Sequence, residues 1–265
     1  GAQWGVDFPN DSSYKVWVWI DALINYITGA KGNWPADLHI IGKGINWFHS
    51  VIWPAVLLSA GYKLPKKLLV HGYLNIKGQK ISKSLGNVID PIALTDKYGA
   101  DPVRYSLLRC SVFEDSDYSE EILVERNNNE LANKLGNLVS RVLALCEKNG
   151  VEKTPNKLLK KLKLKEIEKH FKNFELDKSL SEIFAFVDVC NLYVQDKKPW
   201  ETGDKKVLYE LLDSIKAIAI LLWPFLPTTS EKIASQIGFE IDYKNIEKPL
   251  KVKDVKKGEI LFRKI

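Results

Sequence analysis

Up to about residue 90, short runs of β-branched and aromatic residues alternate with amphipathic stretches. Tyr14-Lys-Val-Trp-Val-Trp-Ile20 is rich in strand formers and reads as a strand, with a helix or turn from Asp21 to about Thr28. Leu38-His-Ile-Ile41, ending at Gly42, reads as a second strand, and Lys67-Leu-Leu-Val-His71 as a third. Between them Ile45, Phe48, Ile52, Val56 and Leu57 fall at helical spacing. Strands alternating with helices imply a parallel sheet with helical crossovers. Ligands of such sheets bind beyond the carboxyl ends of the strands, where Asp21, Gly42 and His71 to Tyr73 fall.

After about residue 120 the period changes from that of strands to that of helices. Leu131, Leu135, Leu138, Val142 and Leu145 make one apolar stripe. Leu180, Ile183, Phe184, Val187 and Val194 make a second, and Leu208, Leu211, Leu212, Ile215, Ile218 and Leu222 a third that stops before Pro224. Thr228-Thr-Ser-Glu231 has the form of a capping box opening a helix to about Ile237, which Gly238 closes. Several amphipathic helices with short connections predict a bundle. The lysine–leucine run from Lys157 to Lys165 reads as a solvated helix face, with a nucleic-acid patch as the alternative. From about Asp242 the tail is polar, with Val255, Ile260, Leu261 and Phe262 available to dock on the body.

Composition narrows this only slightly. At 265 residues, 45% hydrophobic and 27% charged, the chain can bury a core, and wholesale disorder is excluded. No apolar run approaches the ~18 residues of a membrane span, and Gly1-Ala-Gln-Trp4 does not open a secretory leader. The net charge of +6 is compatible with a polyanionic partner. Cys110, Cys146 and Cys190 are far apart and odd in number, forming neither a disulfide framework nor a zinc knuckle; they fit a reducing, cytoplasmic setting.

The candidate chemistry lies in Lys80-Ile-Ser82-Lys83-Ser-Leu-Gly-Asn-Val-Ile-Asp90-Pro91, with Gly78 before it and Gly86 within it. Two ammonium groups three residues apart can close on a polyphosphate and stabilise charge building on a leaving pyrophosphate. Taken alone, a lysine pair in a polar turn is more often a solvated loop. The whole run resembles the signature loop of class I aminoacyl-tRNA synthetases, with Ile81 where methionine is usual. Val16-Trp-Val-Trp-Ile-Asp21-Ala-Leu-Ile-Asn-Tyr26 and His39-Ile-Ile-Gly-Lys-Gly-Ile45-Asn-Trp-Phe-His49-Ser-Val-Ile-Trp53-Pro resemble the methionyl-tRNA synthetase family in particular. So do His71-Gly-Tyr-Leu74 and Leu131-Ala-Asn-Lys-Leu-Gly-Asn137-Leu-Val-Ser-Arg141, so that the likeness runs through nearly the whole chain.

That resemblance implies a fold and a set of sites. Residues 1–100 would be the second half of a Rossmann-type α/β catalytic domain, 101–125 a connecting segment, 126–240 an all-α anticodon-binding bundle, and 241–265 a tail docked on the body. Methionine would lie among Trp19, Ala22, Leu23, Tyr26, Ile45, His49 and Trp53. Aromatic rings and apolar walls suit a polarizable thioether, and Ile45, His49 and Trp53, four apart, would share one helical face. His49 and Tyr26 would pin one another, and Asp21 would face the substrate ammonium or a polar neighbour. ATP, with Mg2+, would be bound by Gly42, Gly44, His71, Gly72, Tyr73, Lys80 and Lys83, with Ser82 completing the catalytic loop. Asn137, Arg141 and Trp200 would read the anticodon of tRNA(Met), an amide and a guanidinium on base edges and an indole stacked on a base. A helix cap near Asn137, an ordinary surface Arg141 and a structural Trp200 are the plainer alternatives.

The chain departs from the pattern in three places. It contains no His-x-Gly-His motif and no cysteine-rich zinc knuckle, Gly44 stands where the family usually has an acidic residue, and Ile81 replaces methionine. The expectation is a carboxy-terminal half, as a fragment or a split subunit, inactive until a separate N-terminal half supplies the missing motif. A non-catalytic tRNA-binding module and a synthetase for another hydrophobic amino acid are the alternatives.

Overall fold

The computed structural model describes residues 4–76, 78–81, 86, 88–252 and 255–265. The chain divides into two compact units, Gly1–Tyr73 and Leu74–Ile265.

In the first unit β1 (Asp7–Phe8) and β2 (Asp11–Lys15) form an antiparallel hairpin, and α1 spans Val18–Gly29. β3 (His39–Gly42) leads into a 3-10 turn, Lys43–Ile45, a π-helical turn, Phe48–Ile52, and α2 (Trp53–Ser59). β4 (Leu68–His71) then pairs parallel to β3, from His39↔Leu68 to Gly42↔His71. The strand expected over Tyr14–Ile20 is not formed: β2 ends at Lys15 and helix begins at Val18. Trp19, Leu23 and Ile27, four apart, pack with Trp53 and Leu57 in one cluster. Burying that helical stripe outweighs the strand preference of valine and tryptophan, which is itself a matter of packing context.

The second unit opens on β5 (Leu74–Ile76) and β6 (Gln79–Lys80), an antiparallel hairpin, with β7 (Ser116–Asp117) parallel to β5 on its other side. α3 (Pro91–Tyr98) starts at Asp90, whose carboxylate accepts from the Ile92 amide at 2.9 Å, and α4 (Ala100–Leu108) follows. α5 (Glu120–Arg126), capped by Ser119, continues through a π-helical stretch, Asn127–Gly136, into α6 (Asn137–Asn149). The bundle is completed by α7 (Leu164–Lys172), α8 (Leu176–Lys197), α9 (Pro199–Thr202), α10 (Lys205–Leu222) and α11 (Pro227–Ile237).

α10 is the axis of this unit, with every residue from Val207 to Leu222 buried. Its polar side chains are satisfied by the segments around it. The Glu210 carboxylate accepts from the Lys157 amide at 2.9 Å and from the Tyr193 hydroxyl. Asp213 and Lys216 form a buried ion pair at 2.8 Å. Asp213 also accepts from the Leu250 amide and the Asn156 side chain, both at 3.0 Å, while Lys216 donates to the Lys248 carbonyl. The tail is thereby tied to the bundle, and Ile246, Leu250 and Phe262 join its core. Ile260, expected to dock with Phe262, points to solvent.

The expected capping box is also not formed. α11 begins two residues earlier than the box requires, at Pro227, and its N-cap is Leu226. The amide and hydroxyl of Thr229 donate instead to Asp101 of α4, each at 2.6 Å. A proline at the first helical position is preorganised for the turn. A carboxylate distant in sequence takes the role the local motif would have played.

Candidate functional site

α1 brings Trp19, Ala22, Leu23 and Tyr26 to one side of the first unit, facing His49 of the π-turn and Trp53 at the start of α2. Tyr26 Oη lies 2.9 Å from His49 Nε2, and His49 Nδ1 lies 3.0 Å from the Ile45 carbonyl oxygen. A carbonyl only accepts, so Nδ1–H donates to Ile45, and in that neutral tautomer Nε2 accepts a hydrogen bond from the Tyr26 hydroxyl. The two bonds fix the imidazole at both nitrogens. Ile45, His49 and Trp53 do not ride on a regular α-helix as their spacing implied, because 3-10 and π turns intervene.

The rings continue outward from this pair. Trp19 stacks on Phe48 at 4.7 Å and meets His49 edge-on at 6.0 Å. Tyr26 lies 4.5 Å from His39 and 6.2 Å from Trp53, and Trp34 lies 5.9 Å from His39 and 6.1 Å from Trp53. Trp53 is 1% exposed, and its indole N–H meets no protein acceptor among the described residues. Burial, and secondarily the charge of His49, holds His39 below its ordinary pKa, so its neutral form is favoured. The surface is apolar, polarizable and shaped by aromatic edges. Asp21, in the first turn of α1, is exposed.

Beyond the ends of β3 and β4, Gly42 and His71 are register partners. His71 Nδ1 donates to the Gly72 carbonyl at 2.8 Å. The Lys43 ammonium lies 4.7 Å from the Tyr73 ring centre. A Cβ at Gly44 would collide with the Tyr73 hydroxyl, so a side chain at 44 requires the end of the Tyr73 ring to shift.

In the second unit Lys80 lies on β6 opposite Asn75 of β5, while Ser82 and Lys83 lie outside the described residues. Asn137 and Arg141 are both exposed, one turn apart on α6, and Asn137 sits inside the helical run rather than capping it. Trp200, on α9, is 42% exposed. Lys134 pairs with Asp188 at 2.8 Å, and Asn191 donates to the Lys134 carbonyl. Further along, Asn149 Oδ1 lies 3.8 Å from where a Cβ at Gly203 would be. The stretches 134–149 and 188–203 therefore run side by side in the same sense, with Asn137 and Arg141 on one and Trp200 on the other.

Residues 1–143 match the family model described as tRNA synthetases class I (M), and residues 157–260 that of the anticodon-binding domain of tRNA ligase. This chain belongs to the methionyl-tRNA synthetase family. The methionine–tRNA ligase of Thermotoga maritima is 40% identical over 99% of the chain, and that of Rickettsia conorii 39% over 89%. These alignments cover 47% and 52% of the two relatives, so the chain spans about half the length of the curated relatives it matches. The Mycobacterium tuberculosis methionyl-tRNA synthetase in complex with methionyl-adenylate superposes with a TM-score of 0.87 at 33% identity, over 98% of this chain and 58% of that one.

Sequence reasoning from the synthetase pattern missed three members of the aromatic cluster, Trp34, His39 and Phe48. A signal for His39 was present: alternation along β3 puts it on the same buried face as Ile41, opposite exposed Ile40. Trp34 sits in an irregular loop and is fixed by its indole N–H, which donates to the Lys63 carbonyl at 2.7 Å. No periodic pattern could have found it. Among the described residues no group of three or more His, Cys, Asp or Glu side chains could hold a metal, and no helix is long and apolar enough to cross a membrane.

Proposed function

We propose that this chain carries the carboxy-terminal part of a methionine–tRNA ligase, which activates methionine with ATP and transfers it to tRNA(Met). The observation that carries the reading is the Tyr26–His49–Ile45 hydrogen-bond chain, because it rigidifies an apolar aromatic surface of the kind a thioether prefers. Trp19, Ala22, Leu23, Tyr26, Ile45, His49 and Trp53 hold the methionine side chain. Gly42, Gly44, His71, Gly72 and Tyr73 receive the nucleoside beyond the strand ends, in keeping with where such sheets bind ligands.

Lys80, Lys83 and Ser82 act on the phosphates. The methionine carboxylate attacks the α-phosphorus, the bond to the bridging oxygen breaks, and pyrophosphate leaves with the bonding pair. Lysine ammonium groups stabilise the charge that grows on it. No side chain need bond covalently to substrate, so positioning and electrostatics carry the step. Mg2+ enters with ATP, held by the phosphates. The adenylate's acyl group then passes to tRNA, whose anticodon meets Asn137, Arg141 and Trp200. In this reading residues 1–100 serve catalysis, 101–125 connect, 126–240 bind the anticodon and 241–265 brace the bundle. The free cysteines fit a cytoplasmic enzyme.

The second cationic side of the phosphate site comes from a polypeptide portion outside these 265 residues, as the greater length of the relatives suggests. Methionine-dependent ATP–pyrophosphate exchange tests the proposal. No exchange is expected from this chain alone, and exchange is expected once the remaining portion is supplied, covalently or as a separate chain. Exchange by the chain alone overturns the incomplete-site reading. Exchange that responds to valine or leucine but not methionine overturns the substrate. Binding of tRNA(Met) with no exchange in the reconstituted protein favours a non-catalytic tRNA-binding module.

A further inference from the structure

The hairpin that carries Lys80 is poorly supported by its own residues. β6 is two residues long and exposed, and it pairs with β5 only through Asn75↔Lys80 and Ile76↔Gln79. Two-stranded ribbons of this size have little stability in water. The turn is made by Gly78 at φ +72°, a conformation that glycine adopts without a Cβ penalty. A group outside the hairpin reaches that turn: the Gly78 amide donates to Asp117 Oδ1 at 2.9 Å.

Asp117 is itself well anchored. Its strand, β7, pairs with β5 through Leu74↔Ser116 and Asn75↔Asp117, and the Tyr118 amide donates to the Asn75 carbonyl at 2.8 Å. Tyr118 is buried in a small core with Leu94, Val103 and Leu123, and Ser119 caps α5. The backbone at 117 is therefore held from both sides, while its carboxylate extends to the hairpin turn.

We propose that Asp117 is the positioning residue for Lys80, its carboxylate fixing the Gly78 turn and so the direction in which the Lys80 ammonium meets a triphosphate. The inference rests on the reading of Lys80 as a phosphate ligand. It adds a residue that need not touch substrate and lies outside the signature loop. A charged acceptor on a backbone amide makes a strong hydrogen bond, and this one holds the turn from outside the hairpin.

The test is a double-mutant cycle on the full-length protein, read by ATP–pyrophosphate exchange at saturating methionine. Asp117→Ala is expected to lower kcat/KM for ATP about tenfold, with the KM for methionine unchanged. Asp117→Asn retains an oxygen acceptor and is expected to stay within about threefold of the parent. In a Lys80→Ala background, Asp117→Ala is expected to add less than about twofold, since its effect acts through Lys80. Hydrogen exchange should show Gly78 deprotected in Asp117→Ala and Tyr118 still protected. If both lose protection the strand has gone, and Asp117→Glu, which displaces the oxygen by one methylene, takes its place in the cycle. Multiplicative effects of the two substitutions, or Asp117→Asn as slow as Asp117→Ala, overturn the proposal. Lys80→Ala at the parental rate overturns the reading of Lys80 instead, so the two failures are distinguishable.

Discussion

Asp213→Ala should be among the most destabilising single substitutions in the helical unit. The side chain is 2% exposed and holds three donors: the Lys216 ammonium at 2.8 Å, the Leu250 amide at 3.0 Å and the Asn156 amide group at 3.0 Å. Its removal leaves Lys216, also 2% exposed, with the Lys248 carbonyl but no counter-charge. Breaking a buried pair by removing one partner costs roughly 3–5 kcal/mol, because the remaining charge is uncompensated. That is a large share of the ~5–15 kcal/mol by which folded domains are stable. Urea unfolding followed by far-ultraviolet circular dichroism measures it, and hydrogen exchange should show the Leu250 amide released first. Asp213→Leu combined with Lys216→Met removes both charges and should recover about 2 kcal/mol relative to Asp213→Ala, although the Leu250 amide and Asn156 remain short of a partner at ~1 kcal/mol each. A cost below about 1 kcal/mol for Asp213→Ala, or a double variant no better than the single, would refute the argument that an orphaned buried charge dominates.

Trp200→Ala should weaken tRNA(Met) binding by roughly 1–3 kcal/mol, about 5- to 150-fold in a filter-binding Kd, without altering the KM for methionine; an unchanged Kd removes Trp200 from the interface. Asp101→Ala should cost about 1–2 kcal/mol in urea unfolding by uncapping α11, and Asp101→Asn, which still accepts from Thr229, should cost less. Acidification should selectively weaken the first unit. His39 has its pKa held below the ordinary 6.5, so the unfolded chain binds the proton more readily; the stability this contributes is complete above pH 6.5 and is lost as pH falls below it. The urea midpoint of that unit at pH 5.5 should lie below that at pH 7.5, and His39→Phe should narrow the gap. Gly44→Ala should displace the Tyr73 hydroxyl and weaken ATP binding in equilibrium dialysis, and Tyr73→Phe should relieve the collision in the Gly44→Ala background.

Much of the fold could be read along the chain where one period ran long enough. The stripes of α6, α8 and α10 each repeat over several turns, and burial of those positions follows from the repeat. β3 and β4 were legible as short apolar runs with a glycine or histidine at their ends. Legibility failed where tertiary contacts override local preference. Val16 to Ile20 has the composition of a strand, yet Trp19, Leu23 and Ile27, four apart, pack with Trp53 and Leu57. The cap of α11 comes from Asp101 and could not be inferred from Thr228 to Glu231. The candidate site divides the same way. Tyr26 and His49 could be paired from the family pattern and His39 was signalled by alternation along β3, but Trp34 emerges only when its loop is folded onto them.

The aromatic cluster has a practical consequence for anyone studying this protein in solution. Of its eight tryptophans, all but Trp200 and Trp223 belong to the first unit, whereas the long helices belong to the second. Indole emission therefore reports mainly on the unit with the candidate methionine surface, and ellipticity at 222 nm mainly on the bundle. The two signals are built-in, label-free reporters of different parts of one chain. Non-coincident transitions would mean that the two parts do not unfold as a single cooperative block.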